Sequence, residues 1–207
     1  MSSRRSGGGE MPAKPKARAE APRPAPPPRT DRAMETARRH FRDGDYPGAI
    51  AVLNAVLQRE PENFDALAMI AGCHGLRGNY EAAVEYDRRA VGADPENPQP
   101  WNNLGWDLFQ AGHVDEAEEA YRRCVDLDPH RASAWFNLAR IAARRGDFDQ
   151  ALEDLERAAA ERPDLREEAK SQPEFAQLFE DPRFDRIVNP REGPEDPYAE
   201  WIKEGKE

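Results

Sequence analysis

A period of 34 residues runs through most of the chain and constrains its fold more than any other feature. Four prolines, four glycines and four alanines keep this step, namely Pro61, Pro95, Pro129 and Pro163, then Gly44, Gly78, Gly112 and Gly146, then Ala49, Ala83, Ala117 and Ala151. A period of this length is typical of a solenoid, in which each repeat is one supersecondary unit that buries its apolar face against its neighbours. We therefore predict four stacked units over residues 31–165.

Each unit is predicted to consist of two helices joined by a turn. In the third unit, apolar residues recur at helical spacing in two stretches, Trp101, Leu104, Gly105 and Leu108, then Ala117, Tyr121, Cys124 and Val125. Gly112 lies between the two stretches, where a left-handed glycine ends a helix. Pro129 ends the second helix, since proline lacks a backbone donor and disfavours helix in the residue before it. The fourth unit follows the same pattern, so the expected fold class is all-α.

Gly105 is unusual because it stands inside a predicted helix, where glycine costs about 1 kcal/mol relative to alanine. The other units carry Ala37, Ala71 and Ala139 at the equivalent position, and the second helix of every unit carries an alanine near its start. Small residues at both places predict that the two helices of a unit cross at short range, with ridges packed into grooves.

These residues resemble the pattern of the tetratricopeptide repeat family, whose period is also 34 residues. The third unit matches that pattern at Trp101-x2-Leu104-Gly105, Ala117-x3-Tyr121 and Pro129, and the fourth unit matches it nearly as well. The resemblance implies a right-handed α-solenoid whose first helices line a concave inner surface, and a protein-protein interaction module. The sequence departs from the family at Ala33 and Thr36 in unit one, and at Asp87 in unit two, where an aromatic residue is expected.

Composition predicts three segments around the repeats. Residues 1–30 hold seven prolines, seven Lys or Arg and two Asp or Glu, which leaves 23 basic and 38 acidic residues in the rest of the chain. We expect a disordered basic Pro-rich arm here, because so few apolar side chains cannot offset the entropy of ordering. Residues 166–188 are predicted to form the helical cap that a solenoid needs, and residues 189–207 an acidic flexible tail.

The chain shows no motif of catalysis or of cofactor binding, so we expect neither an enzyme, nor a cofactor, nor a metal. His40 and His74 occupy equivalent places in adjacent units and raise the alternative of a metal-dependent enzyme, but metal sites need three or four ligands. Cys73 and Cys124 are expected to be buried, inert thiols, which favours a cytoplasmic protein. No stretch is apolar over the length of a membrane span, so no membrane partner is expected.

A second row of side chains lies opposite the apolar stripe on the first helices of units three and four. Helical geometry places this row on the concave surface that the resemblance implies. The candidate peptide-binding residues are Gln99, Asn102, Asn103, Trp106, Phe109, Gln110, Ser133, Phe136, Asn137, Arg140 and Arg144. Asparagine offers a donor and an acceptor that match a peptide backbone, and tryptophan is enriched in binding hot spots. The alternative is that Trp106 packs beneath a neighbouring unit or the C-terminal segment.

An acidic protein or peptide is the expected partner, because guanidinium groups bind carboxylates through paired hydrogen bonds and the groove contains Arg38, Arg42, Arg140 and Arg144. Some family members clamp the C-terminal carboxylate of a chaperone. The corresponding positions here read Met34, Arg38, Met69, Gln99 and Asn103, which does not fit that clamp. Self-association without an external peptide is an alternative. A nucleic-acid tether through the basic arm is a weaker one, since the arm has sparse charge and no aromatic residues.

Overall fold

The structure, a computed structural model, describes residues 29–190, with side chains described from Thr30 onward. Within this range the chain forms ten α-helices and one 3-10 helix, and no β-strand. The helices of the repeats are α1 Arg29–Arg42, α2 Tyr46–Leu57, α3 Phe64–Leu76, α4 Tyr80–Ala93, α5 Pro98–Ala111, α6 Val114–Leu127, α7 Ala132–Arg145 and α8 Phe148–Glu161. Each helix packs on the next along the chain, so four helix pairs stack into an all-α solenoid.

The periodic glycines end the first helix of every pair in the left-handed conformation. Their φ angles are 76° at Gly44, 74° at Gly78, 89° at Gly112 and 82° at Gly146. This region of backbone space disfavours residues with a Cβ atom, which explains why glycine recurs there. The residue after the glycine caps the second helix in two of the turns, where Asp45 and Asp147 accept hydrogen bonds from backbone N–H groups.

The two helices of the third repeat approach each other closely where Gly105 faces Tyr121. A Cβ atom built on Gly105 of α5 would lie 2.8 Å from two ring carbons of Tyr121 in α6. Tyr121 is itself fully buried, as is Ala117 in the first turn of α6. This confirms the prediction that Gly105 gives up helix propensity so that the helices can approach each other.

Residues 165–188 cover the apolar end of the last repeat. They form α9 Leu165–Ser171, the 3-10 helix Pro173–Leu178 and α10 Pro182–Val188. Phe175 of the 3-10 helix is fully buried, and its ring centroid lies 5.9 Å from that of Phe136 in α7. Helix α10 packs on α8. We call residues 165–188, which contain these three short helices, the C-terminal cap.

The predicted basic arm and the predicted acidic tail lie outside the described residues, except for Arg29 and Thr30 at the end of the arm and Asn189 and Pro190 at the start of the tail. Across residues 29–190, every helix is too short or too polar to span a lipid bilayer.

Candidate functional site

A cavity of about 640 Å³ opens on the inner side of the second, third and fourth repeats. Helix α3 contributes three small residues to its wall, Ala68, Gly72 and Gly75, which leave space that larger side chains would fill. Helices α5 and α7 contribute most of the remaining wall, and the cap contributes Leu165 and Glu168 of α9. We call this cavity the inner groove.

Two large apolar side chains of the inner groove are exposed. Trp106 of α5 is 43% exposed and Leu76, at the end of α3, is 60% exposed, and both line the groove. Within the described part of the chain, one further large apolar side chain is exposed, that of Phe179 in the cap, at 49%. Exposed apolar surface rimmed by polar groups is typical of an interaction site. The indole of Trp106 therefore faces solvent on the inner side of the solenoid.

Part of the predicted peptide-binding set lines the inner groove. The lining residues from that set are Asn102, Asn103, Trp106, Ser133, Phe136, Asn137 and Arg140, whereas Gln99, Phe109, Gln110 and Arg144 lie outside the lining. The groove also extends toward α3 and α4, which the predicted set did not include.

The polar members of this set are joined to one another by hydrogen bonds. Ser133 of α7 donates through Oγ to Oδ1 of Asn102 in α5 at 2.9 Å. Gln99 donates through Nε2 to Oδ1 of Asn103 at 2.8 Å. Asn137 is only 8% exposed, and its Nδ2 group donates to the backbone carbonyl of Ser133 at 3.0 Å. The bond between Ser133 and Asn102 therefore joins α7 to α5, whereas the bonds of Asn103 and Asn137 lie within their own helices.

Phe136 differs from the sequence-based expectation of a groove aromatic that holds a ligand side chain. It is 3% exposed and belongs to the apolar core that the fourth repeat shares with the cap. The physical reason is the ring of Phe175, which packs edge-on against Phe136 with 69° between the ring planes. The sequence indicated a cap but not which inner-face residue that cap would cover.

Arg140 and Arg144 also have partners within the described chain. Arg140 donates through Nη2 to Oε1 of Glu174 in the cap at 2.9 Å, and the two side chains are only 11% and 14% exposed. The guanidinium carbons of Arg140 and Arg144 lie 4.8 Å and 6.0 Å from the centroid of the Phe109 ring. Phe109 itself belongs to the buried apolar core around the third repeat. Arg140 thus holds the cap on α7.

The two arginines of the first repeat are also near carboxylates. Arg38 and Arg42 lie 3.8 Å from carboxylate oxygens of Asp65 and Glu35. Neither arginine lines the inner groove. The charges on which the expectation of an acidic ligand rested are therefore either shared with the protein's own carboxylates or placed outside the groove.

Two buried aspartates at the inner groove were missed as functional residues by the sequence reasoning. Asp87 of α4 is 0% exposed, Asp107 of α5 is 6% exposed, and both line the groove. Among the described residues, no N–H or hydroxyl donor reaches either carboxylate oxygen of Asp87, which contacts the carboxyl group of Asp107. The sequence did carry a signal, because Asp87 stands where the repeat family has an aromatic residue. A carboxylate in a position meant for packing indicates a role other than packing.

The carboxyl groups of Asp87 and Asp107 both have a raised affinity for protons. Burial and, to a smaller extent, the neighbouring carboxyl group of Asp107 together raise the pKa of Asp87 to about 9. Burial also raises the pKa of Asp107. Two carboxyl groups in such contact titrate as a pair, with one proton shared between them. The pair therefore retains a proton at neutral pH.

The residues that were weighed for metal or thiol chemistry lie apart from the groove. Nδ1 of His40 is hydrogen-bonded to Oδ2 of Asp45 at 2.8 Å, and His74 stacks on Tyr86 with ring centroids 5.7 Å apart. Residues 30–190 contain no cluster of three or more side chains suited to hold a metal ion. Burial raises the pKa of each of the two cysteine thiols to about 11, so both are protonated at neutral pH.

The paired helices, the left-handed glycines and the inner groove define an α-solenoid of helix-turn-helix repeats. The tetratricopeptide repeat family matches residues 34–98 and 102–166, more than half of the chain, and the chain belongs to this family. This confirms the resemblance noted in the sequence and the right-handed solenoid that it implies. Members of the family are generally non-catalytic scaffolds for protein-protein interaction. No individually curated protein matches the chain.

Several solved structures share the fold. A crystal structure of MamA protein is 22% identical, with a TM-score of 0.67 over 77% of this chain and 86% of that one. A mutant O-GlcNAc transferase from Thermobaculum terrenum is 26% identical, with a TM-score of 0.57 over 63% of this chain and 26% of that one. The first tetratricopeptide domain of Spaghetti (RPAP3), bound to an HSP90 peptide, is 20% identical, with a TM-score of 0.54 over 56% of this chain and 93% of that one.

Proposed function

We propose that the chain is a non-enzymatic interaction scaffold whose inner groove binds an extended segment of a partner protein. The observation that carries the proposal is the exposure of Trp106 and Leu76 in the lining of a cavity of about 640 Å³. A monomer gains free energy when such apolar surface is covered by a partner. Tryptophan in particular is enriched among the residues that dominate binding energy.

The shape of the inner groove favours an extended segment over a small molecule. The groove passes three repeats, from Ala68 in α3 to Arg140 in α7, and the polar groups of Asn102 and Asn103 lie along it. Amide side chains of this kind complement a peptide backbone, which presents one donor and one acceptor per residue. The tetratricopeptide domain of Spaghetti, which has a similar fold, is bound to an HSP90 peptide. From that complex we extend to this chain only the general ability to bind a peptide.

A selection experiment with a random peptide library tests this function. The full-length chain is immobilised, a displayed library of random dodecapeptides is enriched on it, and the enriched pool is re-tested on the Trp106→Ala variant. We expect the wild-type chain to enrich a defined family of peptides, and Trp106→Ala to lose most of them. A pool that binds Trp106→Ala as well as the wild type would show that the groove is not the binding site.

Phe179→Ala provides the matched control. Phe179 is an aromatic residue of similar exposure, 49%, but it lies in the cap and packs on Phe184 with ring centroids 5.6 Å apart. The substitution Phe179→Ala therefore removes a comparable apolar surface outside the inner groove. The enriched peptides should bind Phe179→Ala and the wild type equally well.

A further inference from the structure

On the basis of the groove function proposed above, we infer that the carboxyl pair of Asp87 and Asp107 receives the cationic end of an arginine or lysine side chain from the bound segment. The partner is accordingly a protein that presents a basic segment, rather than the acidic one that the groove arginines suggested. Nothing in the repeat pattern requires acidic residues at these two positions, and Asp87 departs from that pattern.

The first support is the set of acceptors without donors. Asp87 is 0% exposed, and apart from the proton that it shares with Asp107, no donor among the described residues reaches its Oδ1 or Oδ2. A buried acceptor without a donor is costly, because it has given up its hydrogen bonds to water. A guanidinium group carries five N–H donors and an ammonium group carries three, so either one satisfies these oxygens.

The second support is the shape of the groove around the two carboxyl groups. Oδ1 of Asp107 lies so near the backbone of α3 that a Cβ atom on Gly75 would stand 3.0 Å from it. Gly72 and Ala68, one and two turns earlier on the same helix, also line the groove. These small residues make one wall of the cavity, a channel that can take a long, slender side chain as far as the close contact between Asp107 and Gly75. Trp106 lies next to the channel, and its indole offers an apolar surface to the aliphatic stem and a π face to the cation.

The third support is the distribution of charge in the groove. Arg140 is paired with Glu174 at 2.9 Å. Arg162, the other cation in the lining, lies 3.3 Å from Asp164 and 3.6 Å from Glu168. The cations of the groove are therefore shared with other carboxylates, and the aspartate pair is left without one among residues 30–190. Residues 31–207 carry 23 basic and 38 acidic side chains, so the long-range field also attracts a basic ligand.

Binding of a cation to the pair has a consequence for protons. The pair holds a shared proton in the empty groove, and an incoming cation displaces that proton because it stabilises both ionised carboxylates. Affinity for a basic segment therefore rises with pH until the pair is ionised in the empty groove as well. The other titratable or charged groups around the pair are Tyr80 of α4, Tyr121 of α6, Arg140 of α7, Arg162, and Glu168 of α9. Burial raises the pKa of Tyr121, so its hydroxyl group stays protonated between pH 6 and pH 8.

The dodecapeptide library provides the test, this time with Asp87→Asn/Asp107→Asn as the variant. Asparagine keeps the size of the side chains and resembles the protonated carboxyl group, so the variant is expected to fold, which circular dichroism checks. Asp126→Asn is the matched control, because Asp126 is exposed on α6 outside the inner groove. We expect peptides selected on the wild type to share an arginine or lysine at one position, and this preference to vanish on the double variant.

The affinity of one selected peptide then gives the quantitative result. For the wild type, the Kd should fall by about a hundredfold between pH 6 and pH 8, because the displacement of one proton changes the Kd tenfold per pH unit, and Asp126→Asn should bind the peptide as the wild type does. The double variant should bind at least tenfold more weakly at pH 8 and show little change with pH. Replacing the basic residue of the peptide with glutamine should lower affinity for the wild type but not for the double variant.

The outcomes separate this inference from the groove function. Peptides that depend on Trp106 but lack a shared basic residue, or bind the double variant equally well, would overturn the inference and leave the groove function standing. An enrichment of acidic peptides would overturn it too. So would a dimer, seen by light scattering, that Trp106→Ala abolishes and the double variant does not. Failure to obtain any peptide that depends on Trp106 would overturn both proposals.

Discussion

Gly105 lies against the buried ring of Tyr121 so closely that a Cβ atom at residue 105 would stand 2.8 Å from Cδ1 and Cε1 of the ring. This contact sets the crossing of α5 and α6. It also fixes how α5 is rotated about its own axis, and therefore where Trp106 and Asp107, the two residues after Gly105, are placed. A residue that seems only to weaken its helix thus positions two side chains of the inner groove.

Substitution of this glycine should destabilise the protein. Gly105→Ala gains about 1 kcal/mol of helix propensity, but its methyl group collides with the fully buried ring of Tyr121. Overpacking of this kind costs about 1–3 kcal/mol. We expect a net loss in the free energy of unfolding, measured by urea titration with circular dichroism.

Gly92→Ala provides the control for that measurement. Gly92 lies near the end of α4, and no heavy atom stands within 4 Å of a Cβ placed there. The same substitution should be neutral or stabilising by up to about 1 kcal/mol. Equal effects at residues 92 and 105 would contradict the close contact with Tyr121.

The pair between Arg140 and Glu174 should hold the cap on the last repeat. Arg140→Met leaves a largely buried carboxylate without its partner, which costs on the order of 3 kcal/mol, whereas Arg140→Met/Glu174→Gln should recover part of that loss. Amide hydrogen exchange should show faster opening of residues 165–188 in the single variant. Arg88→Met is the control, because Arg88 and Glu116 are 56% and 50% exposed and such a pair contributes about 0.5 kcal/mol. A cap that keeps its protection in Arg140→Met would contradict this role.

The aspartate pair should make stability depend on pH. Burial and Asp107 raise the pKa of Asp87 to about 9 in the folded chain, from an ordinary value of 3.8. The folded state therefore keeps a proton that the unfolded state releases above about pH 4. The stabilisation is fully present below that pH and is lost as pH rises toward 9. Asp87→Asn removes this dependence, so the variant should become progressively more stable than the wild type between pH 5 and pH 9.

Urea titrations at each pH measure that difference. Comparison of variant with wild type removes the contributions of other groups, such as His74, in which burial lowers the pKa. Asp126→Asn, the same substitution at an exposed residue of α6, is the control. Parallel stability curves for Asp87→Asn and the wild type would mean that Asp87 is not buried with a shared proton.

The repeats could be predicted from the sequence because the same local backbone requirement recurs in each of them. The glycines at residues 44, 78, 112 and 146 require positive φ, and each of the four adopts it. Gly105 violated a helix rule, and the contact with Tyr121 explains the violation. Local rules and the 34-residue step were therefore sufficient for the fold.

The inner groove was harder to predict, since it depends on which elements meet across repeats. Helical geometry placed Phe136 on the inner face, but it did not show that Phe175 would cover it. Arg140 was assigned to a ligand for the same reason, because Glu174 is 34 residues away. Asp87 and Asp107 lie on different helices, and their separation along the sequence gave no sign that the two carboxyl groups meet.

The most direct test of the proposed function is the affinity of one library-selected peptide for Trp106→Ala, measured by isothermal titration calorimetry against the wild type and Phe179→Ala. If the inner groove is the binding site, truncation of the indole should cost about 2 kcal/mol or more, a loss of roughly 30-fold in affinity, while Phe179→Ala binds like the wild type. Equal affinities for all three proteins would contradict the proposal.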